Sequence, residues 1–131
     1  MNRISYECDA CKGNTAVKAF EISFWGKKRE IGYIQMQQTD DYCQINFFCV
    51  RKEYWKQKIG FNLLEKAIKS LCGDESKPIH YIRVFPNPES LYGDDAMPIE
   101  TLYSRYQALG FKPIKEDFNP SIPNQQHRKY L

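Results

Sequence analysis

Between residues 15 and 50 the chain reads TAVKAFEISFW, REIGYIQMQQ and DYCQINFFCV, three stretches rich in apolar, β-branched and aromatic residues. Bounded by turn residues, such stretches predict strands. Gly26 with Lys27 and Lys28 predicts the first turn, and Thr39, Asp40 and Asp41 predict the second. Consecutive strands joined by short turns make an antiparallel meander, and NRISYEC ahead of them adds an edge strand. The third stretch is nearly continuous in apolar residues (Ile45, Phe47, Phe48, Cys49 and Val50). That pattern predicts a strand covered on both faces, at the centre of the sheet.

The period then changes. Ile59, Leu63, Leu64, Ala67, Ile68 and Leu71 place an apolar stripe on a helix of roughly 57–71, with Gly73 as its C-terminal cap. IHYIRVF is a short strand, and the following polar loop between Pro86 and Asp95 is long for so small a protein. Pro98 suits the first position of a second helix, whose Ile99, Leu102, Tyr103, Tyr106 and Leu109 share one face before Gly110 stops it. FKPIKE and HRKYL are read as closing strands. The order β-β-β-β-α-β-α-β-β predicts an α/β fold: a mixed sheet, antiparallel in its first half, with a strand-to-helix crossover at the central strand and two main helices. Open sheets with such crossovers bind ligands near the carboxyl ends of their strands. The junction at residues 50–60 is therefore the place for a site.

Length and composition narrow the class. The 131 residues point to one domain spanning 1–131, and 42% hydrophobic with 15% aromatic residues supply a core without metals or disulfides. A net charge of +3 is too small to argue for general nucleic-acid binding. No apolar run approaches a membrane span, and the opening MNRISYECDACKG lacks the apolar stretch of a signal peptide. A cytoplasmic protein with no membrane contact is expected. The five cysteines (Cys8, Cys11, Cys43, Cys49 and Cys72) are read as thiols in a reducing compartment. Cys8 and Cys11 form one C-x-x-C pair with no second pair, and His80 and His127 are distant in sequence, so no metal site is expected. KKR at 27–29 and HRK at 127–129 are read as a solvated turn and a solvated edge.

The charge is concentrated. Arg51, Lys52, Lys56 and Lys58 against Glu53 carry the whole surplus, and the rest of the chain balances. They sit where the central strand enters the first helix. A helix start presents unpaired N–H groups and the positive end of the dipole, and Gly60 lets a ligand approach the backbone. The residues alone leave two readings open there: a phosphate site, or a solvated basic turn with a packing glycine.

Here the chain resembles the GNAT superfamily of acyl-coenzyme A-dependent N-acetyltransferases. Val50, Glu53, Tyr54, Ile59, Gly60, Leu63 and Leu64 stand in register with that family's central strand, turn and helix. RYQALGF at 105–111 keeps Tyr106, Gly110 and Phe111 of its second motif. The resemblance covers roughly residues 15–116. Trp55 stands where the family's pyrophosphate loop opens with Arg or Gln, Lys56 and Lys58 replace its first glycines, and Ile99 replaces an asparagine seven residues before the tyrosine.

The resemblance implies acetyl-coenzyme A as co-substrate and direct transfer of the acetyl group to a primary amine, on a protein or a small molecule. It implies that backbone groups of Phe48, Cys49 and Val50 anchor the cofactor, and that Trp55, Lys56, Gln57, Lys58, Ile59, Gly60 and Phe61 surround its pyrophosphate. It further implies that Tyr106 protonates the leaving thiolate. Without the motif, Tyr106 reads as a core tyrosine on an amphipathic helix. Gln44 stands where some members carry a basic glutamate, and no base is assigned among Asp40, Asp41, His80 and Glu100. Only about ten residues separate the edge strand from the next, too few for the two helices that wall the acceptor site in many members. An open acceptor cleft is expected. The alternative reading is a non-catalytic module of the same fold that binds coenzyme A or a protein partner. The aromatic content permits a homodimer without requiring one.

Overall fold

The computed structural model describes residues 3–11, 13–38, 42–72, 81–84, 88, 90–93, 96–113 and 126–129. Four strands, β1 (Arg3–Cys11), β2 (Asn14–Ile22), β3 (Lys28–Gln38) and β4 (Tyr42–Val50), form the antiparallel meander. A 3₁₀ turn (Lys52–Tyr54) leads to α1 (Ile59–Cys72), then come β5 (Tyr81–Val84), α2 (Ile99–Ala108), β6 (Lys112–Pro113) and β7 (Gln126–Lys129). They make one seven-stranded sheet in the order β1-β2-β3-β4-β5-β7-β6, so β4 is its middle strand. β5 joins β4 in parallel, and the other pairings are antiparallel. The α/β mixed sheet with an antiparallel first half stands as expected. The Thr39–Asp41 turn and the Gly73 cap fall outside the described residues.

The strand alternation works as its pattern demands. Val17, Ala19, Gly32, Ile34 and Met36 face α1, whose Ile59, Leu63, Leu64, Ala67 and Ile68 are buried against them. Burying the four large aliphatic side chains of that stripe contributes about 6–12 kcal/mol before the entropy of ordering is set against it. Gly32 fixes the approach, because a methyl group there would lie 2.9 Å from Leu63 Cδ1 and 3.4 Å from Ile59 Cγ2. A methyl group there would require the Leu63 side chain to shift.

Three expectations shift. The helix starts at Ile59, two residues later than its periodicity suggests, because the Gln57 N–H turns back to Tyr54 O at 3.1 Å. Pro98 is the N-cap of α2 with ψ 147°, and its carbonyl accepts the Leu102 N–H. β4 is not covered throughout: Asn46 is exposed and Phe47 is 38% exposed. Its run of apolar residues concealed a bulge, described below. Among the described residues no helix is long and apolar enough to cross a membrane. At the tip of the β2–β3 hairpin Phe24 and Trp25 stack edge to face with 5.3 Å between centroids, 78% and 83% exposed, and Gly26 adopts φ 84°.

Candidate functional site

The bulge sets the site. Gln35 faces Phe47 while Met36 faces Ile45, so Asn46 is an extra residue in β4. An extra residue reverses the alternation beyond it. Cys43 and Ile45 point into the core before the bulge, and Phe48 and Val50 regain the same face after it. The described pairing with β5 reaches only to Ile45 opposite Val84, while β4 runs on to Val50 beside β3. Just past Val50 the chain turns into α1.

That turn is tightly braced. The Arg51 N–H reaches Ile31 O at 2.8 Å, Tyr54 N–H reaches Arg51 O at 2.9 Å, and Trp55 Nε1 donates to Val50 O at 2.8 Å. The Trp55 indole therefore ties the end of the turn to the end of the strand. Tyr54 is buried and donates to Glu21 Oε2 at 2.6 Å; burial, followed by the Glu21 contact, pushes its phenol up to about 12. Asn62 N–H to Lys58 O, at 3.0 Å, opens the helical ladder. The N–H groups of Ile59, Gly60 and Phe61 precede it, and the first turn holds no acidic residue. A methyl group on Gly60 would sit 3.5 Å from Phe48 Cζ and 3.9 Å from Val50 Cγ2, an ordinary contact.

The far wall is α2. Leu109 caps it, and Gly110 turns the chain at φ 100°. Gly110 N–H reaches Gln107 O and Phe111 N–H reaches Tyr106 O, both at 3.0 Å, the paired bonds of a Schellman motif. The hydrophobic contact of that motif is Tyr106 on Phe111, edge to face at 5.3 Å, and Tyr106 also meets Phe48 at 6.0 Å. The Tyr106, Gly110, Phe111 spacing is thus a helix-stop signal that seats Tyr106 against Phe48 of β4.

Between these walls lies a cleft of about 410 Å³. Phe48, Cys49, Val50, Trp55, Lys56, Gln57, Lys58, Gly60, Phe61 and Tyr106 all border it. Ile59 does not; its side chain is buried in the core, and only its backbone lies at the helix start. Arg105, Met97, Leu102 and Leu109 of α2 and its approach complete the lining, with Ser90 and Pro88 from the loop before it. Sequence reasoning missed Arg105, although it adjoins Tyr106 in the quoted motif. It supplies the cation opposite the lysines.

The basic surplus of residues 51–58 does not act as one unit. Arg51 Nε donates to Glu30 O at 2.7 Å and its guanidinium lies 4.2 Å from the Tyr92 ring. Glu53 pairs with Arg29 at 2.8 Å. Lys56 and Lys58 border the cleft, whereas Arg51 and Lys52 do not. Local charge counting could not see that Arg51 has a structural task. Tyr92 donates to Glu30 Oε2 at 2.9 Å and so pins the long loop beside the site; burial and that hydrogen bond hold its phenol well above the ordinary range.

The base candidates gain nothing. Gln44 precedes the bulge and Glu100 is exposed on the first turn of α2, and neither borders the cleft. Asp40, Asp41 and His80 fall outside the described residues. Cys8 is exposed on β1, the side chain of Cys11 is outside the described set, and the described residues hold no cluster of three or more metal-ligating side chains.

A mixed sheet whose middle strand runs through a short turn into a helix, with a second helix across the cleft, is the architecture of the N-acyltransferase fold. Residues 8–91 match the model of the acetyltransferase (GNAT) family, and the chain belongs to that family. An acetyltransferase of the GNAT family from Staphylococcus aureus superposes with a TM-score of 0.63 at 21% identity, covering 89% of this chain and 68% of its own. The PaiA N-acetyltransferase of Thermoplasma acidophilum, solved in complex with coenzyme A, gives 0.63 at 23% identity, covering 90% of this chain and 62% of its own. The anti-CRISPR protein AcrVA5 gives 0.57 at 17% identity, covering 88% of this chain and 98% of its own. No curated protein matches the sequence.

Proposed function

We propose that the protein is an N-acetyltransferase that takes acetyl-coenzyme A in this cleft and acetylates a primary amine, on a protein (lysine or N-terminus) or a small molecule. One observation carries the reading. The end of β4, the start of α1 with Lys56 and Lys58 just before it, and Arg105 and Tyr106 from α2 all border one cavity. The fit to the co-substrate is supported by the glycine at 60, where a methyl would lie against Phe48 and Val50 on the cavity wall. It is also supported by the lack of a first-turn carboxylate to compete for the helix amides. Coenzyme A held by the related PaiA protein supports the same ligand class.

Bound acetyl-coenzyme A supplies an activated thioester. In this proposal Lys56, Lys58, Arg105 and the amides at 59–61 hold phosphate oxygens. The backbone of Phe48, Cys49 and Val50 orients the acyl arm, and the braced Trp55 turn keeps both elements in fixed relation. The Tyr106 hydroxyl gives its proton to the departing sulfur. Gln44 cannot act as a base, so the acceptor enters as the neutral amine and the rate rises with pH as that amine deprotonates; the N–H proton shed as the amide forms passes to water, which returns a proton to the Tyr106 phenolate. We read the protein as one cytoplasmic domain.

A second reading, a non-catalytic binding module, is favoured by one observation: capping and aromatic packing account for Tyr106, Gly110 and Phe111 without chemistry. Two measurements separate the readings. Calorimetry with acetyl-coenzyme A at up to millimolar concentration is expected to give binding, and its absence ends both coenzyme-based versions. Thiol release with a panel of amines is then expected to be amine-dependent and reduced about 10²-fold or more in Tyr106→Phe. Binding without release favours the module, and release unchanged in that variant removes Tyr106 as the acid.

A further inference from the structure

We propose that a second copy of this chain docks on the outer edge of β1, joining two sheets across a two-fold axis through Tyr6. β1 is the first strand of the sheet, and among the described residues only β2 pairs with it. It is nine residues long, with no proline, and its register against β2 runs unbroken from Arg3 opposite Ile22 to Cys11 opposite Asn14. Exposed strand edges of this length are usually blunted by prolines, bulges or a covering element. None of these devices is present along the described edge.

The hairpin fixes which groups are offered. Cys11 and Asn14 flank a two-residue turn that includes Gly13 at φ 83°, so they form a hydrogen-bonded pair. Alternation then turns the odd residues, Arg3 to Asp9, toward β2. The N–H and C=O groups of Ile4, Tyr6 and Cys8 point outward.

An antiparallel copy centred on Tyr6 satisfies these groups with about six backbone hydrogen bonds. In that register Ile4 meets Cys8, Ser5 meets Glu7, and Arg3 meets Asp9. The odd residues occupy the non-hydrogen-bonded positions, where facing side chains come closest. Arg3 and Asp9 are exposed and form no ion pair within the chain among the described residues, and symmetry makes their contact twice. No like charges face each other. Registers centred on Glu7 or Cys8 would set Glu7 against itself or against Asp9, and one centred on Ser5 would leave Asp9 unopposed, whereas the Tyr6-centred one opposes Arg3 to Asp9. Glu7 keeps its partner Lys28, and Tyr6 keeps the Asn62 Nδ2 contact on its hydroxyl and Lys66 above its ring.

Sedimentation equilibrium on the full chain, from about 1 to 500 µM under reducing conditions, tests the proposal. A reversible dimer is expected. Arg3→Asp and Asp9→Arg are each expected to weaken it about tenfold or more, because each puts like charges in both symmetric contacts. The doubly exchanged chain, R3D with D9R, is expected to return to within about threefold of the wild type. Cys8→Pro removes an outward N–H at an exposed position and is expected to give a monomer. A wild type that stays monomeric throughout, a dimer indifferent to both charge reversals, or single reversals not rescued by the exchange would each overturn it. If the proline variant fails to fold, the charge exchange decides alone.

Discussion

Gly60→Ala separates a glycine kept for folding from one kept for a ligand. Gly60 lies in the first turn of α1, where its backbone needs no left-handed conformation; the positive-φ glycines lie elsewhere. The new methyl would stand 3.5 Å from Phe48 Cζ, 3.8 Å from Phe48 Cε1 and 3.9 Å from Val50 Cγ2, within ordinary van der Waals range. Folding should therefore gain the helical preference of alanine over glycine, about 0.5–1 kcal/mol. For a domain of this size that raises Tm by about 2–4 °C. The same methyl enters the cleft at the helix start and keeps a phosphate from the backbone amides. Losing one or two charge-assisted hydrogen bonds weakens coenzyme A by about 10- to 100-fold. Differential scanning fluorimetry and calorimetry on the two proteins read both effects. A variant that gains stability yet binds coenzyme A as the wild type does would refute a ligand role for Gly60. A loss of stability would refute the packing argument.

Three further outcomes follow from the same geometry. Lys56→Ala with Lys58→Ala should weaken coenzyme A about 3- to 30-fold at low salt, and the difference should shrink toward 0.5 M salt because both lysines are exposed. Gly32→Ala should destabilise by about 1–3 kcal/mol in urea unfolding, since the 2.9 Å approach makes the fully buried Leu63 side chain adjust within a packed core; an unchanged midpoint would mean that Leu63 yields freely. Tyr54 holds its proton more tightly folded than unfolded, so its contribution is complete below about pH 10 and disappears as pH rises toward about 12. Ultraviolet titration should show that late phenol step, and Tyr54→Phe should remove it.

The strands and helices were legible because their periods differ, and β4 could be recognised as central from its apolar run. The bulge at Asn46 was not legible for the same reason: in a stretch apolar on both parities, one inserted residue leaves no trace in the pattern. The site was legible where neighbouring residues carry it, from Phe48 through Phe61. Arg105 was hidden because its partners across the cleft are over forty residues away, and the task of Arg51 was hidden because Glu30 and Tyr92 come from two other segments. Charge summed along the chain counts cations without knowing which way they point. The second motif was legible as a family signature, yet its hydrogen bonds identify it first as a cap.

The strand order also bears on how the protein assembles. Every contact within β1 to β4 joins strands adjacent in sequence, so the meander and the helix that seals it can form from local encounters. The remaining strands attach to it through one parallel seam whose described part is four residue pairs, Tyr42 with Tyr81 to Ile45 with Val84. The cleft lies between walls contributed by both parts of the chain. Hydrogen exchange should find α2 opening before β2 and β3. The meander and α1 bring the basic turn to the cleft, and the segment after α1 brings Tyr106 and Arg105 to it.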